Sequence, residues 1–161
     1  MAKWTNGDLD RYVAQLEKLQ DEGREYIGTA IYTGARVVAD AMRREIQAIP
    51  VAQKYVQPGG PKINTLTSVQ KKGLLDGFGI SKMRQDGDYY NVKLGFAGYN
   101  GQKTDEYPNG VPNSIIARSV CSGTSFREKN DFVGRVVART RGESVAQMER
   151  EIEEAVKKLL W

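Results

Sequence analysis

The stretch FGISKMRQDGDYYNVKLGF, Phe78 to Phe96, decides the fold class. Asp86-Gly87 is a pair favoured at two-residue hairpin turns, where glycine supplies the positive φ that other residues resist. Beyond it Tyr90, Val92, Leu94 and Phe96 alternate with Tyr89, Asn91, Lys93 and Gly95. That two-residue period is the mark of a strand with one buried face. Phe78 to Gln85 alternates less cleanly. The stretch therefore reads as an antiparallel hairpin laid with one face on helices.

Helical periodicity lies on both sides of it. Leu9 to Leu19 predicts a short amphipathic helix, with Leu9, Tyr12, Val13, Leu16 and Leu19 on one stripe and Asn6 or Asp8 as cap. A longer helix is expected from Gly23 to Ala48. There Ile27, Ile31, Gly34, Val38, Ala41 and Glu45 step by three and four, widened by Ala30, Val37 and Met42. Gly28 and Gly34 each cost about 1 kcal/mol against alanine in a helix, so with the alanines around them they predict close approach by another backbone. Pro50 ends the pattern. At the other end Ser144 reads as an N-cap with Gln147 three residues on, followed by a stripe of Val145, Met148, Ile152, Val156 and Leu159. Its lysines, Lys157 and Lys158, come late, as the helix dipole favours.

Thr67 to Phe78 predicts one or two helical turns ending at Gly77 and Gly79. Ser114 to Val120 is apolar and of either type, and Phe132 to Ala138 reads as a strand or a helical turn. One or two further strands are expected from residues 114–138. The fold class is thus α+β in a single domain, 1–161. A small, mainly antiparallel sheet packs against a long N-terminal helix and a C-terminal amphipathic helix. Two long loops, 50–65 and 97–113, are punctuated by proline and glycine. Long irregular segments in a compact domain are usually functional or mobile. The first reads as an arm that orders against a neighbouring subunit, with a loop pinned to its own domain as the alternative.

The chain has no histidine, which removes the commonest general base, the commonest zinc ligand and every Ser-His or Cys-His pair. No cofactor or metal is expected. A single cysteine makes no intrachain disulfide, and no window nears the ~18 apolar residues of a membrane span, so a soluble protein of a cytoplasm-like setting is expected. Of the 24 basic and 20 acidic residues, eight basic and three acidic fall in residues 49–103, which concentrates the positive charge in the middle third. Such a segment can meet phosphate backbones, or can be lysine on exposed loops and strand edges.

The one cysteine raises a sharper question. In VCSGTSFR, Cys121 is followed by Arg127 at the C-x5-R spacing of cysteine-dependent phosphatases. Such a loop puts the cysteine at the end of a strand and the arginine at the start of a helix whose amides lower the thiol pKa. Here Glu128 and Asp131 crowd the expected anion site, and no βαβ run precedes it. The alternative is a turn around Gly123 with Cys121 as a small, partly buried apolar residue.

The order of the stretches GARVVADAMRREIQAIP, GLLDGFGI, YYNVKLGF, SIIARSVCSGTS and DFVGRVVAR, followed by the last helix, resembles the tail-component family of long-tailed bacteriophages. These are small head–tail joining or tail-completion proteins. The resemblance covers about residues 25–160. It departs at Cys121-Ser122, where the family often has an acidic residue and an aromatic. It departs again at Asp131, where the family has proline, and at Val136-Val137, where it has Pro-Ala. It implies a structural viral protein, not an enzyme, that completes the tail end or neck and joins tail to head. The expected form is a ring, commonly six-fold on the tail, built in the host cytoplasm and ending in the virion. Partners would be further copies of itself, the tail tube or tail terminator, neck or connector proteins and, nonspecifically, passing DNA. Head-to-tail rings need two complementary patches per subunit. Tyr55, Gln57, Tyr99, Tyr107, Gly123, Thr124, Phe126, Phe132 and Arg135 are the candidate interface residues. Arg127, Arg135 and Arg139 are expected to face solvent, a neighbour or DNA. The competing functions are a phosphatase using Cys121 and Arg127, or a small basic nucleic-acid-binding domain.

Overall fold

The computed structural model describes residues 6–52 and 59–160. Four helices and four short strands follow in the order α1 (Asn6–Ala48), α2 (Ser68–Gly77), β1 (Phe78–Ile80), β2 (Arg84–Asp86), β3 (Tyr89–Asn91), β4 (Leu94–Phe96), α3 (Asn113–Ser122) and α4 (Phe132–Leu160). The α+β class is as expected, with the long first and last helices covering small antiparallel sheets.

The two predicted N-terminal helices are one. Gly23 costs about 1 kcal/mol in a helix interior, too little to stop a chain with good helix formers on both sides and no proline before Pro50. At its far end the last carbonyls of α1 are capped from a distance: Lys71 Nζ donates to the carbonyls of Gln47 and Ile49. A cation there also suits the negative end of the dipole.

The C-terminal helix begins twelve residues earlier than Ser144 predicts. Asp131 starts it, its Oδ1 accepting from the Gly134 amide at 3.0 Å. Ser144 lies inside the helix and is buried, its hydroxyl donating 2.9 Å to the carbonyl of Gly34 on α1. The β-branched run Phe132–Ala138 is thus helical, and Asn113–Ser122 is helical too, so residues 114–138 contribute none of the expected strands. Burial explains the override. Phe132 and Val136, one turn apart, are wholly buried in the core, and packing of this kind outweighs weak local propensity.

Helices α1 and α4 run antiparallel, with Glu45 opposite Arg135 and Arg139, Gly34 opposite Ser144, and Glu25 to Thr29 sharing a cleft with Glu151 to Lys158. The predicted close approach is at Gly34, where an added Cβ would sit 2.6 Å from Met148 Cγ and 3.0 Å from the Ser144 carbonyl. The buried face of α4 runs through Val136, Thr140, Ser144, Ala155 and Leu159, whereas Val145 and Ile152 of the predicted stripe are exposed.

The hairpin is present but divided. β1 pairs with β4 (Phe78 opposite Phe96) and β2 with β3 (Asp86 opposite Tyr89), so the turn residues are Gly87-Asp88, one place later than expected. Gly87 has φ 59°, the left-handed conformation that favours glycine. Between the two ladders the Ser81 hydroxyl accepts from the Lys93 amide at 2.9 Å, and Lys93 returns its carbonyl to the Ser81 amide at 2.7 Å. Tyr32 of α1 fastens the outer sheet, its hydroxyl accepting from the Met83 amide at 2.8 Å and donating to the Ser81 carbonyl. Thr67 caps α2 in a reciprocal capping box with Gln70. Phe78, Phe96 and Phe132 join the inner sheet to α4, with ring centroids 5.2 and 6.3 Å apart in successive pairs.

Candidate functional site

The turn around Gly123 is built as the apolar-cysteine alternative describes. Gly123 has φ 73° after the last turn of α3, and its amide donates to the Ser119 carbonyl at 3.0 Å. Thr124 closes the turn, its amide donating to the Arg127 carbonyl and its hydroxyl accepting from the Arg127 amide, each at 3.0 Å. The described part of loop 50–65 is sewn to this turn and to α1. Ile63 exchanges backbone bonds with Phe126 and Glu128, and Leu66 with Pro50 and Ala52. These flanks belong to their own domain. Tyr55 and Gln57, proposed from sequence as contacts, lie outside the described residues.

Arg127 corrects the expectation that it faces outward. It is only 5% exposed, with Nε donating to Ser119 Oγ at 3.2 Å and Nη1 to the Thr65 carbonyl. Burial lowers its pKa, and it serves to tie α3 to the loop before α2. Cys121 engages other partners. It sits in the last turn of α3, where the carbonyl end of the dipole opposes a thiolate. Burial first, and the nearby Asp131 charge, push its thiol up, against the amides of Val133 and Phe132 and the Arg135 charge. The strand-to-helix loop of a phosphate clamp is absent here.

The remaining candidates scatter. Phe132 is wholly buried in the core and so offers no surface to a neighbour. Phe126 and Tyr99 are exposed, while Tyr107 packs half-buried against the core. The loop carrying both tyrosines is drawn onto itself by Asn100 and Val111 and by Gln102 and Val111. Arg135 and Arg139 are outside, but both hold Glu45 of α1, at 3.3 and 3.0 Å. The Arg139 and Arg135 hydrogen bonds keep that carboxyl below its ordinary range despite partial desolvation.

Two surfaces stand out instead. The first is the beginning of α1. Since α4 ends opposite about Glu22, the first fifteen or so residues of α1 extend past it by about 22 Å, at 1.5 Å per residue. Tyr12 (52% exposed), Val13 (44%) and Leu16 (44%) form an apolar stripe there that nothing among the described residues covers. The second is an apolar groove of about 550 Å³ between α1, β4, α3 and the start of α4, lined by Val38, Met42, Leu94, Phe96, Val133 and Val137, with Arg118 at its margin. The stripe was legible in the helical spacing. The groove was not, because its residues come from five separated segments. A second hollow of about 580 Å³ lies between α1 and the outer sheet, but Asp21, Arg24, Glu25 and Arg36 make it a polar cleft.

Among the described residues no cluster of acidic or cysteine side chains has metal-ligand geometry, and no helix is long and apolar enough to cross a membrane. No protein-family model matches the chain, and no curated protein or solved structure matches it.

Proposed function

We propose that this protein is a structural subunit of a long-tailed bacteriophage or prophage, completing the tail end or neck and joining tail to head as a ring. The observation that carries this reading is the projecting apolar stripe of α1, which none of the described residues covers. Burying an apolar side chain of this size stabilises by about 1.5–3 kcal/mol, so an exposed row of them at helical spacing is a surface made to be covered by another chain. The order of sequence motifs shared with tail-completion proteins supplies the particular assembly. Its partners are copies of itself, the tail tube or terminator and the neck proteins, and the finished product resides in the virion. Exposed Lys82, Arg84, Lys93 and Lys103 supply sparse positive charge where DNA passes, weak enough not to hold it.

The test is in vitro joining. Tails from a phage lacking the gene are mixed with DNA-filled heads, with and without the purified protein, and counted by electron microscopy. The expected result is joined particles and a ring at the tail end only when protein is added, undiminished by Cys121→Ser. Equal joining without the protein, or loss of joining with Cys121→Ser, overturns the reading. DNA retention should fall steeply between low and moderate salt.

A further inference from the structure

We infer that the projecting start of α1 in one copy seats in the apolar groove of a second copy, giving a head-to-tail contact. The biological setting of this contact rests on the assembly reading above; the contact itself rests on four observations.

The first is distance. Leu16 and the groove residues Val38 and Met42 lie on the same unbroken helix, 22 to 26 residues apart, which is roughly 33–39 Å. A continuous helix cannot fold back along itself, so the stripe of one chain reaches only the groove of another. The second is shape. An amphipathic helix laid in a groove uses anchors at i, i+3 or i+4. Tyr12, Val13 and Leu16 are such a set, facing the walls formed by Val38, Met42, Leu94, Phe96, Val133 and Val137.

The third is charge. At about 100° per residue, Asp10 and Glu17 border the stripe, whereas Arg11 and Lys18 occupy the back of the helix. Residues 6–25 hold six acidic and three basic side chains, against eight basic and three acidic in residues 49–103. The groove margin carries the Arg118 cation and also the Asp131 carboxylate, whose Oδ1 caps α4. A carboxylate that flanks the incoming helix meets Arg118 at the edge of the groove while Asp131 repels a second, which fixes orientation more than it adds affinity.

The fourth is area. A helix about 10 Å across, covered over ~22 Å of its length, buries of the order of 400 Å² on each partner, about half a standard interface. One such contact is weak by itself. Because each copy offers both a projecting helix and a groove, the contacts propagate, and a closed ring or a template adds them together.

Disulfide trapping detects weak contacts and gives the test. In a Cys121→Ser background, Leu16→Cys and Val137→Cys are introduced together and separately; both positions are exposed, so folding is spared. Under mild oxidation the double variant should give a ladder of oligomers. An equal mixture of the two single variants should give a mixed dimer and stop there, in yield several-fold above a Leu16→Cys and Ser125→Cys control mixture. Dimers of Leu16→Cys alone in equal yield would mean that two projecting helices pair with each other, and the inference falls. Yields no higher than the control also overturn it. Leu16→Glu is then tried in the joining assay. Trapping without effect on joining separates the contact from the function, and joining without trapping leaves the function standing with another interface.

Discussion

Gly34 and Gly142 both lie inside long helices, yet a methyl group added at each meets different surroundings. At Gly142 nothing lies within 4 Å, and at Gly34 Met148 and the Ser144 carbonyl stand in the way. Gly142→Ala should therefore stabilise by about 1 kcal/mol, raising Tm by roughly 2–4 °C, through helix propensity alone. Gly34→Ala gains the same propensity but forces α1 and α4 apart, and should lower stability by about 1–2 kcal/mol in denaturant titration. Cys121 makes a second prediction. With burial holding its pKa up, alkylation at neutral pH should be slower than that of a free thiol, and should accelerate only at pH above the ordinary cysteine range. A rapid reaction at neutral pH would restore the nucleophile that the C-x5-R spacing suggested.

The elements show where local signals suffice and where they fail. The stripe expected after Ser144 has Val145 and Ile152 exposed, whereas the short helix starting at Thr67 and the alternation from Tyr89 to Phe96 are local patterns, and each was readable. The start of α4 was not, because Ser144 followed by Gln147 imitates a cap while the real one, Asp131, precedes a β-branched run. Only the burial of Phe132 and Val136 against distant segments makes that run helical. Substituting Ser144 by aspartate distinguishes the two roles: a cap would tolerate it, but a carboxylate pressed on the Gly34 carbonyl should cost more than about 2 kcal/mol. Glu45 links the same helices at their other end. Its folded pKa lies below the unfolded value, so its contribution is present above the unfolded pKa and is lost as pH falls through the folded one. With Arg135 and Arg139 more than half exposed, Glu45→Gln should cost no more than about 1 kcal/mol at neutral pH and nothing in strong acid.

For the whole molecule, the stripe was legible as a helical face, but its exposure depends on where α4 ends, which no local spacing records. The core lies toward the other end of α1, around Ala39, Met42 and Ile46. Removing residues 1–16 should accordingly leave Tm within about 2 °C, since Tyr12, Val13 and Leu16 are exposed and lie outside the core cluster. The same truncation should abolish the joining of tails to heads. A large fall in Tm would place the start of α1 in the fold and not in an interface.

The length of α1 has one more consequence, for how the free subunit moves through a gel bed. At 43 residues the helix is about 65 Å long, whereas a compact 161-residue chain has a radius of gyration near 15 Å and a diameter of roughly 40 Å. A globule with so long a spoke drags more solvent than its 18.0 kDa warrants. It should elute ahead of globular standards of its own mass, in the position of a dimer, while sedimentation equilibrium returns the monomer weight.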